Sequence, residues 1–358
     1  MIDHETGGRL HRRHASARKS VASACVLVLV PLLLLSLLAL GACSAPEGAT
    51  AQQETQENEP ADQQSRQQPQ GTDEAEASTA IGITYTPDYR YADLDTGIRI
   101  AYVELGELSA PPVVFLHGAT DSYLSWSQIA PRVAEGGYHV IVPELRGHGR
   151  SDKPETGPYT VQDHAADIDA LLTQLDVEQA HVVGHSLGTF VAQRLAAENP
   201  DKVRSLTLIG SAATVEGNPT LDWLLNGDGE WPGINNEQEL SDEFLVDWTL
   251  STNGDPAFIE ATYQHAKTLP VYVWRNIFNG LNGPAADLSK ITVPTQIIWG
   301  TEDGFFSRDD EDALVSGLGT NPAEVEFIEK PGASHNTHWE EHADEEIAAD
   351  ILRFIDGA

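Results

Sequence analysis

A serine at position 186 lies at the centre of the sequence Gly-His-Ser-Leu-Gly, residues 184–188. An apolar run at 180–183 precedes these five residues, and a helix-like stretch at 189–197 follows them. The two glycines suit a sharp turn between a strand and a helix, because the backbones flanking the serine come into close contact there. A serine at such a turn can attack a carbonyl carbon once a neighbouring base removes its proton. The pattern therefore predicts Ser186 as a nucleophile.

The elements that would hold this serine follow an alternating order. From Tyr89 onward, short β-like runs alternate with helix-like segments. Such alternation predicts an α/β fold with a mostly parallel sheet and helices on both faces. The first two runs are separated by Asp-Thr-Gly at 95–97 and should form an antiparallel edge. The eight predicted strands are 89–94, 98–105, 113–116, 140–142, 181–183, 206–209, 295–299 and 325–328.

The strand rhythm stops between residues 211 and 290, where helix-like stretches carry many aromatic residues. This predicts an inserted helical lid at about 212–290. Together with Trp126 and the pair Phe305 and Phe306, its aromatic residues indicate an apolar pocket for an acyl or aromatic group. The alternative is that most of its tryptophans only join the lid to the core. The aromatic residues in question are Trp223, Trp231, Phe244, Trp248, Phe258, Tyr263 and Trp274.

Residues 1–42 have the pattern of an export signal. Five basic residues lie within residues 1–20, and an uncharged apolar segment follows at 21–42. The sequence Leu-Gly-Ala-Cys at 40–43 resembles the lipobox of bacterial lipoproteins, which would make Cys43 the site of lipid attachment. An uncleaved signal anchor is the alternative, because about 20 apolar residues span a bilayer as a helix. Both place the rest of the chain outside the cytoplasm, and the lipoprotein alternative anchors it to an extracytoplasmic membrane face.

Residues 43–80 are predicted to be a disordered tether. The segment is rich in Gln, Glu, Ala and Thr and has almost no large apolar side chains, so it cannot bury enough surface to offset its ordering entropy. The globular domain is expected at 81–358. The only two cysteines are Cys25 and Cys43, which leaves that domain without a thiol for a disulfide or a metal site. The net charge of −34 disfavours nucleic acid and anionic membrane surfaces as partners.

Four patches of the chain between residues 89 and 355 together resemble the α/β-hydrolase family, in its branch of lid-bearing esterases, lactonases and cofactor-free haloperoxidase-like enzymes. Leu-His-Gly-Ala at 116–119 resembles the family's oxyanion loop, and Arg-Gly-His-Gly-Arg-Ser-Asp-Lys-Pro at 146–154 resembles the loop after its fourth strand. The serine turn and a C-terminal acid and histidine complete the set. Glu144 departs from the family, which often has aspartate there, but this position is not catalytic.

The resemblance assigns the remaining site residues. The family order is nucleophile, acid, histidine, with the acid on the loop after a late strand. Asp303 in Gly-Thr-Glu-Asp-Gly (300–304) is therefore the expected acid, with Glu302 as the alternative. His335 directly follows the small-residue turn at 331–334 and is the expected base, with His338 as the alternative. The backbone N–H groups of Ala119 and Leu187 would bind the oxyanion.

These assignments predict a serine hydrolase that cleaves a carboxylic ester or lactone through an acyl-enzyme intermediate. Carbon–carbon bond hydrolases, amidases and perhydrolases use the same three residues, so these activities stay open. A serine at 186 argues against haloalkane dehalogenase and epoxide hydrolase chemistry, because those relatives use an aspartate nucleophile. A catalytically inactive binding lipoprotein is the non-enzymatic alternative. No metal and no cofactor is expected; residues 147–152 begin Gly-x-Gly but lack the third glycine of a dinucleotide-binding loop.

Overall fold

The computed structural model describes residues 87–249 and 254–358. The predicted export signal at 1–42, the tether at 43–80 and the lipid attachment at Cys43 lie outside the described residues. Within the described ranges, no helix is both long enough and apolar enough to cross a bilayer.

Eight strands of the described chain form one sheet, in the order β1-β2-β4-β3-β5-β6-β7-β8. β1 and β2 pair antiparallel, as do β2 and β4, and every other neighbouring pair is parallel. The predicted eight-stranded, mostly parallel sheet with an antiparallel edge is confirmed. The strands are β1 (Tyr89–Asp93), β2 (Arg99–Leu105), β3 (Pro112–Leu116), β4 (His139–Pro143), β5 (Ala180–His185), β6 (Val203–Ile209), β7 (Thr295–Gly300) and β8 (Val325–Lys330).

Helices cover both faces of this sheet, because its central strands carry apolar side chains on alternate sides. Leu116 and Val182 belong to the hydrophobic cluster that includes the helices α2 and α3. Phe115 and Val183, their neighbours in sequence, belong to the cluster on the opposite face with α1 and α9. The helices outside the segment between β6 and β7 are α1 (Ala130–Glu135), α2 (Val161–Gln174), α3 (Leu187–Glu198), α8 (Arg308–Gly317) and α9 (Ala343–Ile355).

Four helices of the described chain lie between β6 and β7, and we call residues 212–290 the helical insertion. Aromatic side chains form much of its interior. Trp231 stacks on Phe244 with ring centroids 4.8 Å apart, and Phe244 meets the edge of Trp274 at 5.9 Å. That this segment acts as a lid stays a prediction. Its helices are α4 (Pro219–Asn226), α5 (Asp242–Thr249), α6 (Pro256–Thr268) and α7 (Val271–Leu281).

Candidate active site

Ser186 lies between the end of β5 and the start of α3, in the strand, turn and helix that its sequence predicts. Its backbone has φ 48° and ψ −116°, a strained conformation for any residue other than glycine. Glycine is required on both sides of the turn. A Cβ atom added at Gly184 would lie 2.5 Å from the carbonyl oxygen of Gly188, and one added at Gly188 would collide with the carbonyl oxygen of Leu116. The small residues therefore let α3 pack directly on β5 and on the end of β3.

The two expected oxyanion donors lie on either side of this contact. Leu187 is the first residue of α3, so its N–H has no acceptor within the helix. Ala119 stands in the loop that follows β3, and its N–H makes no hydrogen bond to any described residue. The contact between Gly188 and the end of β3 brings the start of α3 against this loop. Two backbone donors near the serine thus have no hydrogen-bond partner among the residues that the structure describes.

Asp303 and His335 form a hydrogen-bonded pair. Oδ2 of Asp303 is 2.8 Å from Nδ1 of His335, and the carboxylate has no solvent exposure. Its other oxygen, Oδ1, accepts the backbone N–H groups of Phe305 and Phe306 at 2.7 and 3.0 Å. Three hydrogen bonds therefore fix the carboxylate. Because Nδ1 of His335 donates to it, Nε2 is left as the basic nitrogen of the neutral ring.

The ring of His335 lies at the end of β6, close to the serine turn. A Cβ atom added at Gly210 would come within 3.0 Å of Nδ1 of His335. The residue before it, Ile209, accepts the backbone N–H of Ser186 at 3.1 Å. No hydrogen bond joins Ser186 Oγ to His335 in the part of the chain that the structure describes. Hydrogen bonds between nucleophile and base are commonly loose without substrate and tighten in the complex.

The two alternative residues lie elsewhere. Glu302 is exposed on the same loop as Asp303. His338 is buried, with Nε2 2.9 Å from Oγ of Ser125 and its ring stacked on Trp126 at 4.5 Å. Burial holds the pKa of His338 well below its usual range. The structure thus brings Asp303 and His335 together; their catalytic roles stay predictions.

A second buried carboxyl stands behind Asp303 and was not anticipated from the sequence. Glu311 is in the first turn of α8 and has no solvent exposure, and the polar group that faces its carboxyl is the backbone of Ser211. Burial, with a smaller contribution from the charge of Asp303, raises the pKa of Glu311 to about 9. Glu311 is therefore protonated at neutral pH. Its sequence position gives no signal, because acidic residues are common in the first turn of a helix.

Aromatic side chains surround the histidine. Phe305 and Phe306 contact the ring of His335 at centroid distances of 4.7 and 5.5 Å. Trp248, from α5 of the helical insertion, meets Phe305 edge to face at 5.9 Å. In contrast, no Lys or Arg side chain of residues 87–249 and 254–358 forms an ion pair, hydrogen bond or ring contact with any of these four residues. The histidine ring thus packs against aromatic side chains on one side, and the ring of His185 lies 5.1 Å away.

The family model for the alpha/beta hydrolase fold matches residues 111–342. The chain belongs to the α/β-hydrolase fold family. Within it, the chain is 28% identical over 263 residues to the 2-hydroxy-6-oxononadienedioate/2-hydroxy-6-oxononatrienedioate hydrolase of Cupriavidus pinatubonensis, which covers 69% of this chain and 88% of that enzyme. It is 34% identical over 128 residues to epoxide hydrolase A of Mycobacterium tuberculosis, which covers 36% of this chain and only 39% of that enzyme.

Among solved structures of the α/β-hydrolase fold, Est816, an N-acyl homoserine lactone degrading enzyme, matches with a TM-score of 0.60 and 25% sequence identity. The match covers 75% of this chain and 99% of Est816. These three similar proteins are all named for the cleavage or degradation of a small molecule.

Proposed function

We propose that this protein is a serine hydrolase that cleaves a carboxylic ester or lactone. The observation that carries the proposal is the strained turn of Ser186 together with Asp303, whose fully buried side chain is hydrogen-bonded to His335. A serine hydroxyl is a weak nucleophile unless a base removes its proton, and an imidazole whose other nitrogen is bonded to a carboxylate is such a base. A catalytically inactive binding protein has no need of this pair.

The proposed reaction begins when Ser186 Oγ attacks the carbonyl carbon and His335 Nε2 takes its proton. Asp303 holds the imidazole in the correct tautomer and stabilises the imidazolium that forms. The oxyanion is bound by the N–H groups of Ala119 and Leu187, and losing one such donor costs about 10²-fold in rate. The partial positive charge at the start of α3 adds to this stabilisation. His335 then protonates the leaving alcohol, and a water molecule that it activates releases the acid.

The substrate is proposed to be uncharged near the scissile bond, with an apolar or aromatic group. The aromatic contacts of His335 support this, and so does the lack of a Lys or Arg contact to these rings within the described ranges. The Cupriavidus relative is named for a dioate, a dianion whose burial needs cationic partners. An ester or lactone substrate therefore fits this site better than such a dicarboxylate. Carbon–carbon bond hydrolysis, amidase activity and perhydrolase activity remain the alternatives that use the same three residues.

We also propose that the protein is exported and held at an extracytoplasmic membrane face by a lipid on Cys43. The basic flank, the apolar segment and the Leu-Gly-Ala-Cys sequence support this. Replacing the cysteine, Cys43→Ser, should prevent lipid attachment and change the mass of the protein's membrane-bound form. Incorporation of labelled palmitate into the wild-type chain and not into the variant is the expected result; equal incorporation would contradict the assignment.

The test of the hydrolase proposal uses the full-length protein with p-nitrophenyl esters of graded acyl length and with an N-acyl homoserine lactone. Ser186→Ala is the comparison, with folding checked by circular dichroism. Turnover that disappears in the variant supports the proposal, and its dependence on acyl length shows the depth of the pocket. Equal rates for the two proteins, or no turnover of any ester or lactone by the folded wild type, would contradict it.

A further inference from the structure

The loop after β3 that carries Ala119 contains a strained residue, Thr120. Its φ is 65°, in the left-handed region that a β-branched residue seldom adopts. A conformation of this kind persists only where surrounding contacts over-determine it, and such residues concentrate at functional sites. The contacts that hold Thr120 are therefore informative about what the loop does.

Three hydrogen bonds hold Thr120 in place. Its backbone N–H donates to Nε2 of His148 at 3.0 Å, and its hydroxyl donates to the carbonyl oxygen of Ala119 at 2.6 Å. The third comes from the helical insertion: Nε1 of Trp248 donates to Oγ1 of Thr120 at 2.9 Å. The first two bonds fix the peptide group between Ala119 and Thr120, and the third holds the Thr120 hydroxyl that makes the second. The orientation of Ala119, whose N–H is a proposed oxyanion donor, therefore depends on them.

Trp248 also contacts the opposite wall of the site. Its ring meets Phe305 edge to face at 5.9 Å, and Phe305 lies 4.7 Å from the ring of His335. A single residue of the insertion thus touches the loop that carries Ala119 and the aromatic residue that packs on the histidine. A second contact joins the insertion to the same loop, because Nε2 of His265 lies 3.0 Å from the carbonyl oxygen of Asp121.

The hydrogen bond of Trp248 distinguishes it from two other tryptophans of the insertion. Two other tryptophans of the insertion, Trp231 and Trp274, have buried Nε1 atoms with no partner among the described residues. Buried indole N–H groups usually find an acceptor. The N–H of Trp248 has an acceptor on the strained loop of the site, whereas those of Trp231 and Trp274 have none within the described part of the chain.

We propose that Trp248 is a positioning residue that completes the oxyanion site from the helical insertion. By donating to Thr120, it keeps the strained loop in the conformation that leaves the N–H of Ala119 available to the oxyanion. This inference rests on the proposed hydrolase function. On this inference, the oxyanion site is complete only when α5 packs against the loop that carries Ala119 and Thr120.

The decisive variant is Trp248→Phe, which keeps an aromatic ring but removes the N–H donor together with the volume of the second indole ring. Trp231→Phe is the matched control, because it makes the same change in the same insertion where the N–H has no partner. The first readout is the rate at which a fluorophosphonate labels Ser186 in the full-length protein, followed by intact-protein mass spectrometry. In that reaction the Oγ–P bond forms as the P–F bond breaks, fluoride leaves, and His335 takes the serine proton.

The phosphoryl oxygen of the probe uses the same backbone donors as an ester oxyanion, so the two readouts should agree. We expect Trp248→Phe to lower both the labelling rate and kcat for an ester about tenfold, with KM changed by less than about twofold. Trp231→Phe should change each value by less than about twofold. A KM effect without a kcat effect would instead indicate that Trp248 only packs on substrate, and would overturn the inference.

A second pair of variants tests the acceptor. Thr120→Ser keeps the hydroxyl and should retain most of the labelling rate, whereas Thr120→Val removes it, together with its bond to Ala119, and should lower the rate at least as much as Trp248→Phe. The double variant Trp248→Phe/Thr120→Val should be little slower than Thr120→Val alone, because Thr120→Val already lacks the hydrogen bond to Trp248. Circular dichroism and thermal unfolding show that each variant is folded.

The outcomes separate this inference from the hydrolase proposal. Equal labelling rates for Trp248→Phe and Trp231→Phe, with labelling that still requires Ser186, would overturn the inference and leave the hydrolase proposal intact. Fully additive losses in the double variant would also overturn it. A folded wild-type protein that is neither labelled at Ser186 nor active on any ester would overturn both.

Discussion

Replacing Asp303 should lower the catalytic rate through the loss of its carboxylate. In Asp303→Asn the amide can no longer hold the Nδ1 proton of His335, so kcat should fall about 10³-fold or more. Glu302→Gln is the matched control one residue earlier, and its exposed side chain should leave kcat unchanged. Steady-state kinetics on one ester compare the two. Similar losses in both variants would show that the loop, and not the carboxylate, matters.

The buried carboxyl of Glu311 should make the free energy of unfolding depend on pH. Its pKa of about 9 in the folded protein lies above its ordinary value of 4.5, so the folded state binds an extra proton between these two pH values. Stability from this group is therefore lost as the pH rises from 4.5 towards 9. Glu311→Gln, which cannot ionise, should be stabilised relative to wild type by on the order of 5 kcal/mol at pH 8 and not at pH 4.5.

Denaturant unfolding of the two proteins at several pH values measures this difference. The pH dependence is the informative quantity, because any effect of the amide on packing is the same at every pH. A stability difference between Glu311→Gln and wild type that is equal at pH 5 and pH 8 would mean that Glu311 is not held protonated.

At the scale of elements, the junction between α3 and β3 should be intolerant of a single added carbon. Helical glycine to alanine usually stabilises a helix by about 1 kcal/mol. Gly188→Ala should instead destabilise by about 3 kcal/mol and lower kcat, because its Cβ would collide with the carbonyl oxygen of Leu116 and displace Leu187. Gly317→Ala in α8 is the control, since its Cβ would meet only the end of the flexible Leu288 side chain. Thermal unfolding that ranks Gly188→Ala as the more stable variant would contradict this.

Strands and helices could be predicted where the sequence pattern that forms them involves residues close together in the chain. Alternating apolar runs and the turn chemistry at 184–188 depend on neighbours in sequence, so the sheet and the strand–turn–helix at Ser186 could be anticipated. The contact of Asp303 with His335 was expected only through the family order. Thr120 and Glu311 carried no signal: a threonine in a loop and an acid in a first helical turn look ordinary. Their environments come from Trp248, 128 residues away, and from burial against Asp303.

At the scale of the whole molecule, the net charge of −34 should discriminate among substrates before they reach the site. The field of an acidic protein lowers the encounter rate of anions, and salt screens it over a Debye length of about 10 Å at 0.1 M. The kcat/KM for an ester that carries a carboxylate should rise about threefold between low salt and about 0.5 M salt. An uncharged ester of the same size should show no such rise. Parallel salt responses of the two esters would contradict a role for the charge.

The bridge that Trp248 makes between the two walls has a consequence for selectivity. A molecule too bulky for α5 to seat against the loop could still enter and be held by the aromatic residues, yet it would face a serine with an incomplete oxyanion site. On the proposal above, such a molecule is a competitive inhibitor and not a poor substrate. Ligands would then be selected by size at the acylation step and not at the binding step.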